Sequence, residues 1–142
     1  MRVLLDTNIL ISYLLDFSGK SRISKIVDKG VLGEYVILLP EELINEFTNK
    51  VLSKKYLKNK IKKEEPEEFV RILIEAGEII PTIKEEIPVV TRDPKDDYLL
   101  ACALVGEADF LVSGDKDLLV LKKVGGVRMV DVKGFEKVVL SF

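Results

Sequence analysis

Four carboxylates in this chain lie where a single divalent cation could gather them. Asp6 and Asp115 each follow a short apolar run typical of a buried strand, whereas Glu46 and Asp97 lie in stretches with helical spacing. An unpaired carboxylate beside a hydrophobic core is costly, because charge is poorly solvated there. A hard cation such as Mg²⁺ offsets this cost, since it prefers oxygen ligands. These four acids are therefore the first candidates for a metal site.

Two of the four acids also have ordinary structural explanations, and a third has competitors. Asp6 suits the N-cap of the helix that follows it, and Asp115 suits a turn in the sequence Gly-Asp-Lys-Asp. Glu46 competes with Glu41 and Glu42, whose charges suit the first turn of the same helix. Glu46 is favoured because it lies among apolar residues, nearer to the expected core.

The third acid has to be chosen from three aspartates near the start of one helix. Asp93 precedes a proline and is better explained as a helix cap than by chemistry. Asp97 and Asp96 then compete for the place. Asp117, two residues after Asp115, is an additional candidate ligand.

Residue types that are absent exclude several mechanisms. The 142-residue chain has no histidine and one cysteine, Cys102, which excludes Ser-His-Asp and Cys-His catalysis and histidine-ligated zinc. Carboxylates and hydroxyls remain for chemistry. The net charge of −2 provides no overall attraction to nucleic acid, so such binding must come from local patches.

The length of the chain predicts one domain, residues 1–142, and its hydropathy and cysteine content predict a cytoplasmic location. Its apolar stretches are far shorter than the roughly 20 residues that span a bilayer, so no membrane association is expected. The N-terminal residues lack the pattern of a secretory signal, and a single cysteine cannot form an internal disulfide.

Strand-like and helix-like segments alternate along the chain. This alternation predicts an α/β fold, a three-layer α/β/α sandwich with a mainly parallel sheet of about five strands. In such sheets, ligands bind beyond the carboxyl ends of the strands, where the strand order reverses. If the strands before Asp6 and Asp115 are neighbours, both acids face one crevice. The expected strands are 2–5, 35–39, 78–83, 108–112 and 127–132, and the expected helices are 8–15, 21–30, about 40–58, 66–76, about 95–105 and 116–121.

Four motifs follow one another in a fixed order. They are Val3-Leu4-Leu5-Asp6-Thr7-Asn8-Ile9-Leu10, the segment 41–52, Asp93-Pro94-Lys95-Asp96-Asp97, and Leu111-Val112-Ser113-Gly114-Asp115-Lys116-Asp117-Leu118. This order resembles the PIN-domain family, and within it the VapC-like proteins, the toxin components of toxin–antitoxin pairs. The resemblance covers essentially the whole chain. Its most specific parts are the opening Asp-Thr-Asn and the late Ser-Gly-Asp-Lys-Asp.

The resemblance implies a ribonuclease that cleaves RNA with Mg²⁺ or Mn²⁺ held by three or four acids. It also implies a homodimer and an antitoxin partner whose C-terminal segment blocks the acidic groove. Asp97 matches the third acid because Ala101 follows four residues later, as in the family's pattern. The four matching acids are Asp6, Glu46, Asp97 and Asp115, with Asp117 as a further ligand and Thr7, Asn8 and Ser113 as supporting polar residues.

A lysine-rich run is the one strong local bias in composition. It includes Lys50, Lys54, Lys55 and Lys58, and Tyr56 lies inside it. These side chains could hold RNA phosphates and stack a base. The alternative, slightly favoured, is an exposed helix end with solvated lysines.

Two other classes of function compete with the nuclease. A haloacid-dehalogenase-like phosphatase also has acids at strand ends, but it needs a second aspartate where this chain has Asn8. A nucleotide-binding module would need a glycine-rich loop after a strand, and the sequence has none. A role in RNA processing, or as a non-catalytic scaffold with the same acids, remains open.

Overall fold

The computed structural model describes residues 1–16, 18–53 and 64–140. The strands are β1 (Arg2–Leu5), β2 (Val36–Pro40), β3 (Glu78–Ile80), β4 (Phe110–Val112), β5 (Lys123–Val124) and β6 (Val127–Val130). The helices are α1 (Thr7–Leu15), α2 (Arg22–Val31), α3 (Glu41–Ser53), α4 (Glu64–Ala76), α5 (Pro94–Val105), α6 (Lys116–Leu119) and α7 (Val132–Leu140).

The six strands form one sheet in the order β3-β2-β1-β4-β6-β5. All pairs are parallel except β5 with β6. The chain builds outward from β1 through β2 to β3, then crosses back to place β4 on the other side of β1. The strand order therefore reverses between β1 and β4, which is where ligands bind in sheets of this kind.

Adjacent residues of β2 show that helices cover both faces of the sheet. The Ile37 side chain faces Gly30 of α2, where an added Cβ would lie 2.6 Å from it. Leu38 faces Gly106, at the end of α5, where an added Cβ would lie 3.0 Å from it. Successive side chains of a strand point to opposite faces. Helices α2 and α5 therefore lie on opposite sides of the sheet, which confirms the predicted three-layer α/β/α sandwich.

Most predicted elements are present, and the two elements that were not predicted lie near the C-terminus. All five expected strands occur, although β3 ends at Ile80, immediately before Pro81. The two-residue β5 and the helix α7 were not predicted. The β-branched residues and glycine of α7 favour helix weakly, but burying Phe135 and Val139 on one face stabilises it.

The described helices differ from membrane-spanning segments in length and hydropathy. None of them is both long enough and apolar enough to cross a bilayer. The predicted continuation of α3 to about residue 58 lies outside the described residues.

Candidate metal centre

The ends of β1 and β4 hold two of the predicted acids together through a serine. Leu5 pairs with Val112 in the parallel register, so Asp6 and Ser113 follow at the same level. The fully buried Ser113 hydroxyl donates to Asp6 Oδ2 at 2.8 Å and accepts from the backbone N–H of Asp115 at 3.0 Å. One hydroxyl therefore positions both the Asp6 carboxylate and the turn that carries Asp115.

Asp96, in the first turn of α5, is the buried acid of the site. Asp96 is 7% exposed. Among the described residues, the one buried side-chain oxygen or nitrogen without a hydrogen-bond partner is its Oδ2. Burial, then the close approach of Asp115, and then the charges of Asp93 and Asp6 raise the pKa of Asp96 to about 7. A buried carboxylate oxygen without a donor is what a hard cation would satisfy.

Asp115 and Asp117 bring further oxygens to Asp96. Each of the three carboxylates offers one oxygen, and these oxygens lie within 4.8 Å of one another. The Asp117 backbone N–H donates to Asp115 Oδ1 at 2.8 Å, which caps the short helix α6. Arg92 Nη2 lies 2.7 Å from Asp117 Oδ1, so this exposed guanidinium already pairs with one acid of the cluster.

Glu46 reaches the site from α3 with two partners of its own. The buried Thr7 hydroxyl donates to Glu46 Oε2 at 3.0 Å, and Lys50 Nζ lies 3.0 Å from Glu46 Oε1. Burial raises the pKa of Asp6, and the charge of Glu46 adds to the rise, while the Ser113 hydroxyl and the charge of Lys50 lower it. The carboxylates of Glu46 and Asp6 are therefore close enough for their charges to interact.

The acids line a shared opening at the carboxyl edge of the sheet, called here the acid cavity. Its volume is about 480 Å³. The strand-end turns contribute Asp6 and Asp115, and α3 and α5 contribute Glu46 and Asp96. The complete lining is Asp6, Asn8, Ile9, Glu46, Lys50, Asp93, Lys95, Asp96, Leu99, Gly114 and Asp115. Three of the four acids predicted as ligands therefore meet in one place.

Asp97 was the fourth predicted ligand. Among the described residues it is not one of those that line the acid cavity. Its Oδ1 accepts backbone N–H groups from Val90 at 3.0 Å and from Thr91 at 2.7 Å. Burial opposes ionisation, but these donors outweigh it and lower the pKa of Asp97. Asp97 therefore holds the loop before α5, and Asp96 is the neighbouring aspartate that lines the acid cavity.

The burial of the residues that follow on α5 separates the two aspartates in the structure. Residues three, four and seven positions after Asp96 are Leu99, Leu100 and Ala103, all buried. The residue seven positions after Asp97 is Leu104, which is 42% exposed. Asp96 therefore lies on the stripe of α5 that faces the sheet. The sequence alone does not show this difference, because the residues three, four and seven positions after Asp97 are also apolar: Leu100, Ala101 and Leu104.

The remaining predicted residues divide into three groups. Thr7 holds Glu46, Asn8 lines the acid cavity, and Ser113 links two acids. Lys50 lines the cavity and pairs with Glu46. Lys54, Lys55 and Lys58 lie outside the described residues. Lys95 and Arg92 were not predicted. Their positions near the acids depend on where α5 and the loop before it pack in the folded protein.

These donors fit a hard divalent cation better than any other cofactor class. The potential ligands are carboxylate oxygens, which hydroxyl groups support through hydrogen bonds. The sequence has no histidine, and the cluster of potential ligands contains no cysteine. The unpartnered oxygen of Asp96 and the three oxygens within 4.8 Å give the ion a place to bind. Asp96 and Asp115 are the residues that would hold it, with Asp117 once Arg92 moves away.

Replacing Ser113 by alanine is expected to weaken Mn²⁺ binding by about 10–100-fold, because outer partners of metal ligands typically contribute this much. Without the hydroxyl, Asp6 loses a donor and the Asp115 backbone N–H loses an acceptor. Isothermal titration calorimetry with Mn²⁺ measures the change. Ser21→Ala is a matched control, since Ser21 accepts a backbone N–H at the start of α2, away from the acids. Equal affinities for both variants would contradict the assigned role.

Comparisons with known proteins agree with this geometry. Residues 2–117 match the family model of the PIN domain. A chain of VapBC2 from Rickettsia felis, solved bound to a DNA fragment from their promoter, is 16% identical, with a TM-score of 0.60, over 92% of this chain and 98% of its own. PAE2754 from Pyrobaculum aerophilum is also 16% identical, with a TM-score of 0.56, over 100% of this chain and 97% of its own. No curated protein sequence matches.

The two structural likenesses show a shared fold. The family model carries more weight, because it spans every strand and helix from β1 into α6, including the predicted acids. It confirms the resemblance seen in the sequence motifs. The chain therefore belongs to the PIN domain family.

Proposed function

We propose that this protein is a metal-dependent endoribonuclease that hydrolyses RNA phosphodiester bonds with Mg²⁺ or Mn²⁺. The observation that carries the proposal is the buried, unpartnered Asp96 Oδ2, clustered with Asp115 in the acid cavity. Such a carboxylate is costly unless a cation binds it. Membership of the PIN domain family supports nuclease chemistry for these acids.

The side chains that line the cavity have separate roles in the proposed hydrolysis. A bound divalent ion would lower the pKa of a water molecule and neutralise charge on the phosphate. Asp96 and Asp115 would hold that ion. Asp6 orients the attacking water and accepts its proton, because burial raises the pKa of Asp6 and makes it a better base. The Ser113 hydroxyl keeps the Asp6 carboxylate aimed at this position.

Two lysines of the cavity offset its negative charge where RNA enters. Lys50 pairs with Glu46 and screens the repulsion between Glu46 and Asp6. Lys95 lines the cavity from the first turn of α5, where it can contact a phosphate oxygen. Local positive charge of this kind is needed because the whole chain has a net charge of −2.

The proposal includes a toxin role in a VapBC-like pair, with a homodimer and an antitoxin as partners. The similar fold of a chain from the VapBC2 structure supports this assignment. The acid cavity gives it a physical basis, because a cationic segment of an antitoxin would be attracted there and would exclude RNA. A processing role for the same nuclease would leave the cavity open.

The function is tested by incubating mixed RNA with the wild-type protein and with Asp6→Asn, each with Mn²⁺ or with EDTA. Cleavage is expected only for the wild type with Mn²⁺. Glu67→Gln provides a control, since Glu67 is an exposed acid of α4 outside the cavity. Turnover of small phosphate esters without RNA cleavage would instead support the phosphatase, and no turnover of either would support a scaffold.

A further inference from the structure

A second cavity of about 460 Å³ lies beside the acid cavity and shares part of its wall. Glu46, Lys95 and Leu99 line both cavities. The second cavity, called here the base cavity, is otherwise lined by Pro40, Glu42, Leu43, Thr82, Ile83, Pro94 and Tyr98. A volume of this size is within the range of small-ligand sites. A group bound in the acid cavity can therefore extend directly into the base cavity.

We infer that the base cavity is a subsite for a guanine base next to the phosphate that is cleaved. The inference rests on the proposed function for the position of that phosphate, but the binding of guanine can be tested without cleavage. Three features carry it: a mostly apolar wall with one ring, a carboxylate at the rim and a lysine between the two cavities.

The wall suits a flat, aromatic ligand. Tyr98 is half-buried, and its hydroxyl accepts the backbone N–H of Ile83 at 3.2 Å, which fixes the ring in the wall. Leu43 and Leu99 are buried and add apolar surface beside it. Nucleobases stack on such rings with little dependence on sequence. The wall explains why a base would bind, but it does not select which base.

Glu42 supplies the selection. Glu42 is exposed, and the side-chain hydrogen bond that it makes within the described residues is a long contact of 3.5 Å from the Thr82 hydroxyl to Oε1. A carboxylate only accepts hydrogen bonds, so it pairs best with two neighbouring N–H donors. Guanine presents N1–H and N2–H side by side. In adenine and cytosine the amino group lies next to an acceptor nitrogen, and in uracil the N–H lies between two carbonyl groups.

Lys95 links the base to the reaction centre. It lies in the wall shared by the two cavities, and within the described part of the chain its ammonium has no carboxylate in ion-pair distance. A cation at this position suits the phosphate that joins a bound base to the next nucleotide. The same phosphate then enters the acid cavity, where Asp6 and Asp96 lie.

The test measures binding of GMP, AMP, CMP and UMP in EDTA by isothermal titration calorimetry. GMP is expected to bind most tightly to the wild type, and Glu42→Gln is expected to lose at least about 10-fold in GMP affinity, as for a good bidentate contact to a base. Glu41→Gln is the matched control, because Glu41 is the neighbouring exposed acid in the same helical turn and does not line the base cavity.

The outcomes separate this inference from the proposed function. Selective GMP binding that depends on Glu42 supports the guanine subsite even if no RNA is cleaved. Equal binding of all four nucleotides, or equal effects of Glu41→Gln and Glu42→Gln, overturns the subsite even if Mn²⁺-dependent RNA cleavage is found. An effect of Glu42→Gln on all four nucleotides alike also overturns it, since the carboxylate would then select nothing.

Discussion

Asp96→Asn is expected to abolish Mn²⁺-dependent RNA cleavage, by at least about 100-fold, and to stabilise the metal-free protein. Activity falls because the cation loses its most buried ligand, and even outer partners of metal ligands contribute 10–100-fold. Stability rises by about 1–3 kcal/mol at pH 8, because a charged oxygen with no donor is removed. The asparagine amide can also donate to Asp115, which relieves the repulsion between the two acids.

Asp97→Asn is the matched control, for which we expect RNA cleavage to be retained and stability to fall. RNA cleavage remains close to the wild-type rate, whereas stability falls by about 1 kcal/mol, since the backbone N–H groups of Val90 and Thr91 then bond to a neutral oxygen. Chemical denaturation and an RNA cleavage assay on both variants measure the two effects. If Asp97→Asn lost activity and Asp96→Asn kept it, Asp97 would be the ligand, as the sequence motif implies.

The metal-free protein is expected to lose stability as the pH rises from about 4 to about 7. Burial and the nearby charges of Asp115, Asp93 and Asp6 raise the pKa of Asp96 from 3.8 to about 7. Between these two values the folded state binds more protons than the unfolded state, so raising the pH favours unfolding. The raised pKa of Asp6 acts in the same direction. An upper limit for the loss due to Asp96 is about 4 kcal/mol.

Mn²⁺ is expected to oppose this loss of stability, because it binds the deprotonated carboxylates. At a concentration of 100 times the dissociation constant, the ion adds about 2.7 kcal/mol of stability at pH 8 and much less at pH 5. Melting temperatures at pH 5, 6, 7 and 8, with Mn²⁺ and with EDTA, measure both effects. Asp96→Asn should flatten the pH profile in EDTA. A Mn²⁺ effect of equal size at pH 5 and pH 8 would contradict the role of Asp96.

The layered fold could be predicted from the sequence, because apolar periodicity is local information. The runs before Asp6 and Asp115 predicted β1 and β4. That these strands are neighbours was only a condition in the sequence argument, and the pairing of Leu5 with Val112 meets it. Helix α7 was missed because valines and a glycine favour helix weakly there, while the packing of Phe135 against Tyr35 and Phe110 acts at long range. Tertiary contacts, not local preference, decide this segment.

The candidate site could be predicted only in part. Asp6, Glu46 and Asp115 were chosen from motif and context, and all three line the acid cavity. The choice between Asp96 and Asp97 needed the direction of each side chain on α5 relative to the sheet. Lys95 could not be identified from the sequence at all, because a lone lysine near a helix start is ordinary until the helix is placed beside Glu46.

The place of β1 between β2 and β4 has a consequence for synthesis on the ribosome. A growing chain carries Asp6 from the outset and Glu46 soon afterwards, but β4 starts at Phe110 and Asp115 follows it. Contacts between such distant segments form late, because a long stretch of chain must first be closed into a loop. During synthesis the chain therefore cannot complete its acid cavity until nine of its thirteen described helices and strands, β1 through β4, have emerged from the ribosome.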